Sequence, residues 1–237
     1  MALVFDIETI GNDFDKLDDA TQESLTRWIK REAGEDKERY NVLSQDLKES
    51  LGFSPLTGEI AAIGVYDTQA SRGVVYFQSP NLEDCEYSLD NFIFKPKTEK
   101  EMLESFWQGI VKYKIFVSFN GRSFDLPFLM IRSAIHGIKP SLNLMDNRYL
   151  NYQNRKAKHI DLLDQLSYYG AVRRKGNLHL FCRAFGIKSP KVSGITGDDV
   201  SELFQSKEYR KIAEYNSWDL IATAELYDYW EKYLNFS

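Results

Sequence analysis

The chain opens with an apolar run, Ala2 to Phe5, that leads straight into Asp6-Ile7-Glu8-Thr9. Side chains two apart on a strand project the same way, so Asp6 and Glu8 aim two carboxylates at one spot beside a core. Neighbouring anions repel, and each is costly to strip of water. A strand built this way calls for positive charge between the acids. Few features restrict a fold more, because the strand has to be central enough to be apolar and yet end at a charged site.

The rest of the composition is compatible with that strand lying in a packed core. Hydrophobic residues make up 43% of the 237 residues, and charged residues 27%. This length suits one large domain or two small ones. The formal charge of −5 provides no global attraction to nucleic acid or an anionic membrane, though it permits a local basic groove. Cys85 and Cys182, far apart, form neither a disulfide framework nor a zinc pattern, so a reduced, cytoplasmic setting is the simpler expectation. The N-terminus has no basic region and only a short apolar stretch, so no signal peptide is expected. No run reaches the roughly 18 apolar residues of a membrane helix.

Hydrophobic periodicity sets the order of elements. A first strand over Ala2 to Glu8 precedes a polar stretch from about 11 to 58. There Leu25, Trp28 and Ile29 share one helical face, as do Val42, Leu43 and Leu47, which predicts two or three inserted charged helices. Residues 59–67 and 72–78 read as strands joined by a turn at Thr68–Ser71, and 79–84 as a polar loop. Thr98 and Glu101 form a candidate capping box ahead of a helix carrying Met102, Leu103, Phe106, Ile110 and Val111. Residues 115–121 read as a buried strand, followed by a helix closed by Gly137. A last strand at 159–163 leads into a helix around Asp164 to Tyr169, and one or two helices end the chain. The expected fold class is α/β, a mixed central sheet flanked by helices.

Three D-x-E pairs occur, and solvated surface accounts for Asp36–Glu38 and Asp84–Glu86. Only Asp6–Glu8 continues an apolar strand. Asp125, in NGRSFDLPFL, follows a predicted strand and turn. It reads either as a helix N-terminal acid favoured by the macrodipole or as a site acid. Near the C-terminus, Tyr215 and Asp219 lie one helical turn apart, and Tyr215 is the only one of 14 tyrosines with an aspartate four residues on. Packing at a helix edge would explain that pair as well.

Taken in order, FDIET, the N-x-x-x-F-D of NGRSFD and the Y-x-x-x-D of YNSWD resemble the three motifs of the DEDD 3′→5′ exonucleases. The similarity is greatest to the tyrosine-type branch and to proofreading-like exonucleases related to family B DNA polymerases. It covers most of the chain, including HIDLLDQLS and the loop GIKSPKVSGITGDDV, and covers the 11–58 insertion poorly. The resemblance implies one ribonuclease H-like domain over 1–237. It also implies hydrolysis of a nucleic-acid 3′ end, DNA before RNA, to nucleoside 5′-monophosphates.

Carboxylate oxygens suit hard cations, and the resemblance implies two Mg²⁺ or Mn²⁺ ions. Such ions, about 4 Å apart, can clamp the attacking and leaving oxygens of a phosphodiester displacement. By the same resemblance, Asp6 bridges both ions, Glu8 and Asp219 hold the one that binds the attacking water, and Asp125 supports the other through water. Tyr215 contacts the attacking water. A phenol with a pKa near 10 is a poor base at neutral pH, so its expected role is to orient. Thr9, Ile10, Asn120 and Phe124 are expected to border the terminal nucleotide, with Phe124 either stacking or packing.

Two clusters could track phosphates: Arg148, Arg155, Lys156 and Lys158 interleaved with Tyr149 and Tyr152, and the run Arg173, Arg174 and Lys175. Solvated loops would look the same. Lys191 is a further candidate contact, and Asp161 and Asp164 are extra acids near the site. The histidine-type branch has a histidine where this chain has Glu214, and no spacing makes His136, His159 or His179 a metal set. A silent nucleic-acid-binding or docking module is the reading from another class. The insertion would then offer a protein partner its surface, or it is simply a solvated helical lid.

Overall fold

The computed structural model describes residues 1–80, 85–190, 194 and 197–236. Seven strands form one mixed sheet: β1 (Ala2–Gly11), β2 (Gly58–Asp67), β3 (Arg72–Phe77), β4 (Tyr87–Leu89), β5 (Phe92–Pro96), β6 (Ile115–Ser118) and β7 (Lys158–Asp161). Their spatial order is β4-β5-β3-β2-β1-β6-β7, so the first strand is interior. β1 runs antiparallel to β2 and parallel to β6. Its odd-numbered residues Leu3, Phe5 and Ile7 join an apolar layer with Met102, Phe106, Phe116 and Phe128. Ala2, Val4 and Ile10 belong to the layer on the other face, with Ile212, Leu220, Leu226 and Trp230. The even face therefore changes from alkyl groups at Ala2 and Val4 to carboxylates at Asp6 and Glu8.

The helices are α1 (Asp19–Ala33), α2 (Lys37–Ser50), α3 (Glu99–Gly109), α4 (Asp125–Ile135), α5 (Leu162–Leu166), α6 (Leu178–Phe185), α7 (Val200–Gln205) and α8 (Tyr209–Tyr233). Capping explains several starts. Asp18 and Asp36 accept backbone N–H groups at the openings of α1 and α2, and Thr98 with Glu101 closes the expected box on α3. α8 packs across β1, β2 and β3 and so covers the acidic face.

The differences from the sequence reading have local causes. β1 continues three residues past Glu8 to Gly11 because β2 accompanies it to Gly58, across a register shift between Glu8 and Thr9. β4, β5 and α6 appear where periodicity is too short to announce them; β5 owes its place to β3, alongside which it runs parallel. α5 stops at Leu166 since Tyr168 and Tyr169 turn to φ 49° and 55°. β6 stops at Ser118, ahead of Asn120 at φ 64°. In the insertion, Ile29 is fully buried, whereas Trp28 and Val42 are exposed. Asp84 and Lys191 lie outside the described residues.

Candidate active site

β1 and α8 bring three carboxylates together. One oxygen each from Asp6, Glu8 and Asp219 lies within 4.8 Å of the others. Glu8 is buried, and Asp6 and Asp219 are partly so. Burial first, and then the Asp125, Asp219 and Glu8 charges, push the Asp6 carboxyl well above its ordinary range. Burial and Asp219 do the same to Glu8. The charged groups that act on both residues are themselves acids.

Asp125 stands beside this trio. Its Oδ1 accepts the backbone N–H of Ile7 at 3.1 Å, the residue between the two strand acids. Burial raises its pKa to about 7, against the lowering effect of its own backbone N–H and that of Ile7. Its oxygens lie outside the 4.8 Å group, although its charge acts on Asp6. Asp161 holds the turn that delivers it, accepting the N–H groups of Asn120 at 3.0 Å and Arg122 at 2.9 Å. Gly121 is obligatory in that turn, because a Cβ would fall 2.2 Å from the Ser118 hydroxyl.

Tyr215 is buried on α8, and its hydroxyl hydrogen-bonds the Asp219 carboxylate. Burial, then Asp219, Glu8 and Asp6, drive its pKa upward, so the phenol keeps its proton. Its single O–H donates to the Asp219 carboxylate, so its oxygen is left to accept.

Asn216 escaped the sequence reading. It is fully buried, and its Nδ2 donates to Asp6 Oδ2 at 2.8 Å. The same amide lowers the Glu8 pKa in opposition to burial. Adjacency to Tyr215 was the only available signal, and helical position alone did not separate it from a packing residue.

The other predicted residues divide. Thr9 and Phe124 line a cavity of about 380 Å³ beside Glu8. Ile10 is not among the residues that line it; it shares the even face of β1 with Asp6 and Glu8 and packs into the apolar layer under α8. Asn120 serves the turn through its backbone. Arg148 is paired with Asp164, its Nε 2.8 Å from Oδ2, while Tyr149, Tyr152, Arg155, Lys156, Arg173, Arg174 and Lys175 are exposed and Lys158 is partly buried. Glu214 accepts from the Tyr87 hydroxyl at 3.3 Å. His136 bonds Glu99, His159 bonds Ser118 and His179 bonds Ser189.

An acidic centre on an interior strand of a ribonuclease H-like sheet, closed by a C-terminal helix, is the arrangement of an exonuclease domain of the kind found in family B polymerases. The chain belongs to the family described as "Predicted 3'-5' exonuclease related to the exonuclease domain of PolB", whose model matches residues 78–234. Over 153 residues it is 29% identical to the catalytic subunit of DNA polymerase epsilon from Emericella nidulans, and equally to that from Aspergillus fumigatus. Those matches take in 60% of this chain and 6% of each relative. The family B DNA polymerase from Pyrobaculum calidifontis shares the fold at a TM-score of 0.60 and 15% identity, over 97% of this chain and 24% of that one. Among the described residues no helix is long and apolar enough to cross a membrane.

Proposed function

We propose that residues 1–237 act as one metal-dependent 3′→5′ exonuclease unit that shortens DNA, single-stranded for preference, releasing nucleoside 5′-monophosphates. The observation that carries this reading is the meeting of Asp6, Glu8 and Asp219 within 4.8 Å, with Asp125 alongside. The donors fit the proposed ions: all are hard carboxylate oxygens, and the leading charged neighbours of Asp6 and Glu8 are themselves acids. Asp6, Glu8 and Asp219 would hold Mg²⁺ or Mn²⁺, with Asp125 supporting a second ion through water. When bound, the ions supply positive charge to the attacking and leaving oxygens of the phosphodiester.

The chain's own residues supply the positioning. Asn216 fixes Asp6. The Ile7 N–H and the turn held by Asp161 fix Asp125. Tyr215 keeps its proton and donates that hydrogen bond to Asp219, which leaves its oxygen to accept from the attacking water. The DNA preference draws on relatives that are named DNA polymerases. A reducing, cytoplasmic setting suits Cys85 and Cys182, both free thiols.

The test uses 3′- and 5′-labelled DNA and RNA oligomers with Mg²⁺, Mn²⁺ or EDTA. A metal-dependent ladder receding from the 3′ end of DNA is expected. Faster trimming of RNA moves the substrate to the exoribonuclease class. Binding with no cleavage in either metal overturns the enzymatic reading.

A further inference from the structure

We infer that the insertion between β1 and β2 is a wall of the substrate site, and that Phe53 at its exit, with Phe124 opposite, takes the base of the 3′-terminal nucleotide. The inference rests on the exonuclease reading and adds to it which part of the substrate the insertion meets.

The cavity beside Glu8 is shared between the sheet and the insertion. Its lining includes Glu8 and Thr9 of β1, Phe124 ahead of α4, and Asp46, Glu49 and Phe53 of the insertion. Its volume of about 380 Å³ falls within the range of small-ligand sites. The turn carrying Phe53 is firmly held. Leu51 is 2% exposed, Thr9 Oγ1 donates to the Gly52 carbonyl at 2.7 Å, and Thr57 Oγ1 donates to the Leu51 carbonyl at 2.8 Å. Gly52 lies so near β1 that a Cβ would come 3.0 Å from the Gly11 nitrogen. Arg132 Nη1 also donates to the Pro55 carbonyl at 3.4 Å.

A turn fixed this tightly nevertheless leaves Phe53 60% exposed. Its ring stands 6.5 Å from that of Phe124 at 63°, while Phe124 rests on Phe128 at 5.5 Å. Core packing gives no reason for a large ring in water at the mouth of a cavity. Base stacking does, and it tolerates any sequence because every base has a π-face. Charge sets the orientation. Asp46 and Glu49 are exposed carboxylates on the insertion side, and the nearby Lys48 is paired with Asp15 at 3.0 Å. Phosphate is repelled from that wall, so the base faces it and the scissile phosphate is left to the Glu8 side.

The experiment reads binding and cleavage separately. Single-stranded oligomers ending in 3′-terminal 2-aminopurine, or in an abasic nucleotide, are titrated with protein in Ca²⁺, and cleavage is followed in Mg²⁺. Wild type is expected to quench the terminal 2-aminopurine. Phe53→Ala should lose most of the quench and bind that oligomer roughly tenfold more weakly, while matching wild type on the abasic end. Phe53→Trp should restore binding. If Phe53→Ala weakens both oligomers equally, or neither, the inference is overturned, whatever the cleavage assay shows. A Phe53-dependent quench without wild-type cleavage supports the base site and sinks only the exonuclease reading. No binding by wild type overturns both.

Discussion

Asn216 Nδ2 lies 2.8 Å from Asp6 Oδ2, joining residues 210 positions apart. The amide fits because Gly64, paired with Asp6 across β1 and β2, has no side chain. A Cβ at Gly64 would stand 1.9 Å from Asn216 Oδ1. A neutral donor is thereby delivered into a group of acids without adding a fixed cation that would compete with metal. Asn216→Ala is expected to lower activity and metal affinity by roughly tenfold to a hundredfold, the usual cost of removing a partner behind a metal ligand. Gly64→Ala should give the same defect from the opposite side, by displacing the amide. Mg²⁺ titrations of initial rate check both. Wild-type metal dependence in either variant would contradict this role.

Tyr215 and Asp6 should separate in kinetics. Tyr215→Phe removes a hydroxyl that keeps its proton. Its expected cost is a fall in kcat of about tenfold to a hundredfold, with metal affinity reduced far less than by Asp6→Ala. Asp6→Ala should cost far more and weaken metal binding as well. The comparison needs single-turnover rates at saturating metal together with a metal-binding isotherm. Equal losses would count against an orienting role for the phenol.

Site acids with raised pKa values make the metal-free protein sensitive to pH. Asp125 binds its proton more tightly when folded, with a pKa near 7, than when unfolded, near 4. Between those values the folded state holds more protons, so the contribution of Asp125 to stability falls as pH rises from about 4 to 7. A divalent ion held by these acids would replace the missing protons. Mg²⁺ or Mn²⁺ should therefore raise Tm more at pH 8 than at pH 5.5. At ten times Kd the increase is roughly 2–6 °C. Thermal scans with metal or EDTA at both pH values test this, and a larger increase at the acidic pH would contradict it.

A buried cluster away from the acids should govern stability first of all. Glu99 accepts from Arg132 Nε at 2.8 Å and Nη2 at 2.6 Å, from the Ile60 N–H at 2.8 Å, and meets His136 Nε2 at 2.7 Å. Burial pushes its pKa up, but these partners outweigh burial and hold it below the usual range. Its stabilising effect is thus complete above the unfolded pKa and is lost as pH falls through the lower folded value. Arg132→Met strands the carboxylate and should cost about 3–5 kcal/mol, or roughly 10 °C in Tm. Scanning calorimetry at pH 7 and pH 3 measures both effects, and the gap between wild type and variant should narrow at pH 3.

The path of the chain was largely legible in the sequence because strong local signals coincide. The capping box at Thr98 and the alternation of β1 were readable directly, as was the i,i+4 spacing of Tyr215 and Asp219. β4 and β5 were not, because they are short and depend on a neighbour for their hydrogen bonds. Ile10 joins the apolar layer under α8, a place that its nearness in sequence to Glu8 does not announce. Periodicity does not single out Phe53, and only the fold shows that its ring is exposed.

By itself the sequence determined which residues are able to do chemistry: paired acids on an apolar strand, an acid after a turn, and a tyrosine one helical turn before an aspartate. Such patterns follow from backbone periodicity, which is local. Tertiary structure decided that Asn216 reaches Asp6 across Gly64, that Asp161 holds the turn before Asp125, and that Phe53 of the insertion shares a cavity with Glu8. Those relations depend on distances of a few ångströms between segments far apart in the chain, and no local period encodes them.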